Sequence, residues 1–141
     1  MDAAHRGNKQ SDGEFSDEQG ADDGVVGCGF VSYYSRALQG EFFKNKDTLN
    51  EYRRILSLGD AIWLLPLPLG GSAFCKGGSI DVPGFHAVCA PGGMVFEDRW
   101  VYFAFIINWQ AAAVTDPQTV AVFVKAAAQA MTIVKDALAT T

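Results

Sequence analysis

The chain has 141 residues, 49% of them hydrophobic and 19% charged, which is one domain's worth and enough apolar material to bury a core. Wholesale disorder is excluded. The net charge of −5 sits entirely in residues 1–24, where seven acids meet two bases; the other nine acids and nine bases cancel, and a neutral body without a basic stripe argues against nucleic acid as a partner.

Residues 1–24 are rich in Asp, Gly, Glu and Ser and show no apolar periodicity, so they read as an acidic flexible tail or loop. The ordered segment is expected over 25–141. Phe30, Tyr33, Tyr34, Ala37 and Leu38 recur at helical spacing, and Gly40 stops that helix. Asp47 is placed to cap a second helix carrying Leu49, Tyr52, Ile55 and Leu56 on one side. Ala61–Leu69 is apolar but broken by Pro66 and Pro68, and Gly70-Gly71 reads as a tight turn.

Ser72–Lys76 is expected as a short strand running into Gly77-Gly78. Phe85–Ala90 is a second strand, closed by a Pro91-Gly92-Gly93 turn. Arg99–Trp109, apolar on both faces, is the signature of a central strand covered on both sides. A last helix follows, with Asp116 as cap and Pro117 in its first turn. Its stripe is Val120, Phe123, Val124, Ala127, Met131, Val134 and Leu138.

The three cysteines, Cys28, Cys75 and Cys89, form no C-x-x-C pair, and the two histidines, His5 and His86, lie far apart. Neither a disulfide framework, a metal site nor a cofactor is expected. The longest uncharged runs, Ala61–Cys75 and Trp100–Thr115, are shorter than the roughly 20 residues of a spanning helix, so no membrane partner is expected. The start of the chain has no signal-peptide core, which points to the cytoplasm by default.

Two patterns carry chemistry. In Lys76-Gly77-Gly78-Ser79 the glycines let backbone approach a ligand, Lys76 supplies a cation, and backbone N–H groups can face an oxyanion. Just beyond, Asp81 and His86 form a potential acid–base pair near Ser79; a hydrogen-bonded structural His86 is the alternative.

The ordered set of Tyr34–Phe43, a second helix, Leu67–Gly78 with its Lys-Gly-Gly, two strands and a terminal helix resembles the C-terminal part of the class A type serine β-lactamases and related penicillin-binding proteins. The resemblance spans roughly residues 28–139. It implies that Lys76 binds the substrate carboxylate, that Gly78 keeps the close backbone approach, and that the Ser79 N–H is one oxyanion donor. Gly77 stands where the family has Thr or Ser, so that hydroxyl is missing. No Ser-x-x-Lys and no Ser-Asp-Asn occurs in the chain, so the nucleophile is absent.

The expected fold is therefore α/β or α+β: an antiparallel sheet of about three strands with flanking helices and a C-terminal amphipathic helix, resembling the C-terminal half of the β-lactamase/transpeptidase-like fold. The expected function is a β-lactamase-like or penicillin-binding-type serine hydrolase segment, incomplete and not catalytic alone. Its catalytic residues are Lys76 and Ser79, its substrate-binding residues Gly77, Gly78, Asp81 and His86. Its partners are a β-lactam-like or peptide substrate and a complementing segment or second copy. The competing readings are a non-catalytic interaction domain pairing through a sheet edge or the terminal helix, and a small ligand-binding domain using the Gly70–Gly84 loops.

Overall fold

The computed structural model describes residues 19–65, 67, 70–110 and 117–140. The chain is α+β: helices on both faces of one antiparallel sheet. The first helix, α1 (Gln19–Gln39), begins inside the acidic segment, whose lack of an apolar stripe does not forbid helical backbone. It ends at Gly40, where the Glu41 N–H donates to the Arg36 carbonyl and the Gly40 N–H to that of Ala37, both at 3.0 Å, a Schellman termination.

The second helix, α2 (Lys46–Ser57), is capped by Asn45, not by Asp47. The Asn45 side chain accepts from the Asp47 N–H at 2.7 Å, which leaves Asp47 in the first turn. Arg53 on α2 donates to the Leu38 carbonyl from two guanidinium nitrogens, at 3.2 and 2.5 Å. That bond fixes α2 to an otherwise partnerless carbonyl at the end of α1. A short 3-10 helix, Asp60–Leu64, follows; Trp63 on it is 89% exposed.

The sheet comprises β1 (Ser72–Cys75), β2 (Gly78–Val82), β3 (Phe85–Phe96) and β4 (Arg99–Trp109). β3 is central: β4 runs along one side of it, while β1 and β2 share the other. β1 and β2 hold a single register against β3, from Ser72 opposite Val95 to Val82 opposite Phe85. They are one strand interrupted at Lys76-Gly77. Pro91 accounts for the interruption. The Lys76 N–H donates to the Pro91 carbonyl at 3.2 Å, but proline has no N–H to return the bond to the Lys76 carbonyl.

The expected turn at Pro91-Gly92-Gly93 is thus corrected: β3 runs straight through these residues. The glycines serve close packing instead. A Cβ on Gly92 would lie 2.3 Å from the Phe74 carbonyl oxygen and 2.6 Å from the Cys75 Cβ. One on Gly93 would lie 2.8 Å from a Leu38 methyl of α1. The real turn is Glu97-Asp98, both at positive φ, the two-residue geometry that suits a hairpin's twist. The central strand is likewise β3 rather than β4. β4 is covered on both faces, yet among the described residues no second strand pairs with its outer edge.

Alternation along the strands sends the two sets of side chains to two cores. Ala73, Cys75, Ala90, Met94 and Phe103 pack beneath the 3-10 helix and α3 (Pro117–Ala139), which contributes Phe123, Ala127 and Met131. Phe74, Trp100 and Tyr102 pack on the opposite face against Tyr34 and Leu38 of α1 and Leu56 of α2. Arg99 donates to the Leu138 carbonyl and ties the start of β4 to the end of α3. The expected cap Asp116 lies outside the described residues. Among the described residues no helix is long and apolar enough to cross a membrane.

Candidate functional site

An open cleft of about 540 Å³ lies along the free edge of the interrupted strand. One wall is Lys76 through Ser79; the other is Asp60, Ala61 and Leu64 of the 3-10 helix, with Val88 and Cys89 of β3 behind. The hydrogen-bond phase decides what this edge offers. The Lys76–Pro91 bond sets Lys76, Gly78, Ile80 and Val82 as the residues whose N–H and C=O groups turn toward β3. The alternate residues, Gly77, Ser79 and Asp81, therefore turn theirs outward. A two-residue Pro83-Gly84 loop closing on Val82 and Phe85 fits the same phase.

Lys76 is exposed, and its ammonium donates to the Gly77 carbonyl at 2.5 Å. The edge thus holds a cation and, three residues on, the outward-aimed main-chain N–H of Ser79. A cation beside unpaired N–H groups is an arrangement that receives a carboxylate or a developing oxyanion.

Gly77 has a local reason. A Cβ there would lie 3.0 Å from the Ala61 Cβ and 3.1 Å from Asp60 Oδ1. Any larger residue would have to push the 3-10 helix away from the edge. A Thr or Ser at this position would thus start from a Cβ crowded by Asp60 and Ala61. Neither residue stands out in the sequence, because both belong to an uneven apolar stretch with no motif of its own.

Of the six candidate residues, the structure brings Lys76, Gly77, Gly78 and Ser79 into the cleft. Asp81 and His86 are set apart from it. They face each other across the β2–β3 hairpin, with His86 Nδ1 bonded to Asp81 Oδ1. The His86 ring is 2% exposed and stacks on Trp109 at a centroid distance of 5.4 Å. Its position directly opposite Asp81 in a buried stack makes the pair a clasp on the hairpin.

Of the three free cysteines, Cys75 is buried and its thiol is pushed up to about 11 by burial, with Asp60 adding to the shift and Lys76 opposing it. Cys89 lies partly exposed at the back of the cleft, 3.1 Å from where a Gly78 Cβ would be. Among the described residues no three His, Cys, Asp or Glu side chains converge.

No family model, no curated protein and no solved structure matches the chain.

Proposed function

We propose that the chain is a β-lactamase-like or penicillin-binding-type serine hydrolase segment whose Lys76–Ser79 edge forms one wall of an acyl-transfer site. The observation that carries this reading is the phase of the edge strand, which turns the Ser79 N–H outward beside the Lys76 cation. In the proposed site Lys76 binds the ligand carboxylate and the Ser79 N–H receives the oxyanion. Gly77 and Gly78 keep the wall flat enough for the ligand's backbone-like amide to lie against it. The serine nucleophile and its base come from another stretch of polypeptide, since no Ser-x-x-Lys is present. The order of elements around the cleft, with two helices before the edge strand and two strands and a helix after it, supports the same reading.

Binding is the step to test, because the chain lacks the group that would be acylated. Benzylpenicillin titrated into the chain and followed by ligand-observed NMR is expected to bind, and Lys76→Ala is expected to weaken binding at least tenfold, the worth of one hydrogen bond to a charged group at about 1.5–3 kcal/mol. Equal binding by the variant, or none by the wild type, overturns the reading.

The free edge of β4 favours a second reading, a non-catalytic domain that pairs strand to strand. Trp100, Tyr102, Ala104 and Ile106 turn their main-chain groups away from β3, toward an edge against which no strand is paired among the described residues. Sedimentation over a range of concentrations tests it: a self-associating chain that ignores benzylpenicillin would replace the first reading with this one.

A further inference from the structure

We infer that Pro91 is a positioning residue for the cleft: it withholds the one N–H that would bind the Lys76 carbonyl, and so keeps the Lys76-Gly77 step free to set where the Lys76 ammonium stands over the open edge. The inference rests on the reading of Lys76 as the ligand-binding cation.

Three observations meet here. First, proline is confined almost entirely to edge strands, strand starts and bulges, because it cannot donate to a ladder. Pro91 instead sits in the middle of the central strand, where β3 is flanked on both sides. Second, its missing donor falls opposite Lys76, the one cationic residue lining the cleft among the described residues, and not opposite any other residue of the edge. The ladder lapses at Lys76 and Gly77 and resumes in the same register at Gly78. Pro91 therefore removes one bond without shifting either half of the strand. Third, the freed step is confined from outside. Asp60 and Ala61 crowd Gly77, where a Cβ would sit 3.0–3.1 Å from their side chains, and the Lys76 ammonium folds back onto the Gly77 carbonyl. A returned bond to the Lys76 carbonyl would draw this step flat into the ladder and turn the peptide that carries the lysine.

Pro91→Ala and Pro91→Thr each restore the donor, with side chains of different size. Three readouts decide the matter: exchange of the new residue-91 amide, the NMR signals of the Lys76 side-chain ε-methylene, and benzylpenicillin affinity. The expected result is a protected amide at residue 91, Lys76 signals displaced from wild type, and affinity lowered roughly tenfold in both variants alike, the scale of one displaced charge-assisted contact. A protected amide with Lys76 signals and affinity unchanged would assign Pro91 a packing role only. An unprotected amide would show that the ladder is broken by something other than Pro91, and would overturn the inference as well. Should the wild type bind no benzylpenicillin, the hydrolase reading falls, and the Lys76 signals alone still decide whether Pro91 positions this side chain.

Discussion

β1 and β2 are two halves of one edge with one register and one hydrogen-bond phase, yet they live in different surroundings. In β1, Ala73 and Cys75 are buried, and the 3-10 helix roofs the outer side: a Cβ on Gly59 would come within 2.4 Å of the Cys75 carbonyl oxygen. Every residue of β2 is exposed. The cleft opens between the same 3-10 helix and the edge at Lys76–Ser79. One register and one hydrogen-bond phase thus become structure in one half and surface in the other, and what decides is the neighbour laid against the strand. An exposed strand edge with unpaired N–H groups is what sheet edges elsewhere are built to hide; here the covered half supplies the rigidity that lets the other half stay open.

Substitutions that treat the two halves alike should therefore act unequally. The largest effect is expected for Gly92→Ala, opposite the end of β1, because its Cβ would meet backbone atoms of Phe74 and Cys75 that cannot turn aside. A cost of about 2–3 kcal/mol is expected for such overpacking. Gly78→Ala in β2 meets only the Cys89 Sγ, at 3.1 Å, and should cost well under half as much. Thermal melts of the two variants make the comparison; equal losses would mean that β2 is held as tightly as β1.

A smaller effect is expected for Gly59→Ala, which lifts the roof and leaves the sheet intact. About 1 kcal/mol of stability should be lost, and the buried Cys75 thiol should react with a thiol reagent faster than in the wild type. Unchanged labelling would mean that the 3-10 helix does not cover β1. The smallest effect is a pH dependence. The Cys75 thiol ionises at about 11 in the folded chain and at about 9 when unfolded. The unfolded chain therefore releases this proton first as pH rises, and stability falls between about pH 9 and about pH 11. Cys75→Ala should flatten the melting temperature over that window relative to the wild type. An identical slope would show that the thiol contributes nothing to it.

Much of this arrangement was legible before folding. The stripe of Phe123, Ala127 and Met131, the limits of Arg99–Trp109, and the stop at Gly40 each follow from a local pattern with a local cause. The Lys76–Ser79 cluster was legible because glycine beside lysine at a strand end is a pattern with a chemical use. Pro91-Gly92-Gly93 misled because turn chemistry and close packing use the same residues: Gly92 is small for Cys75, Gly93 for Leu38, and neither contact is visible in a linear reading. The same holds for Asn45, which outcompetes Asp47 as cap by two positions. Asp60 and Ala61 stayed hidden because their part in the cleft comes from an edge strand more than ten residues away. Trp100–Ile107 read as central because apolarity on both faces reports cover by helices, which β4 has, and says nothing about hydrogen-bonded neighbours.

The exposure of Trp63 gives the molecule an optical handle. The indole is 89% exposed and adjoins Leu64 in the chain, the residue that helps wall the cleft, while Trp100 and Trp109 are partly shielded and stacked on Tyr102 and His86. Iodide or acrylamide would quench the solvent-facing fluorophore first and the shielded pair last. Native emission therefore separates into a red component beside the cleft and a blue component from the sheet. Occupancy of the cleft would register in the first and loosening of the sheet in the second, with no label attached.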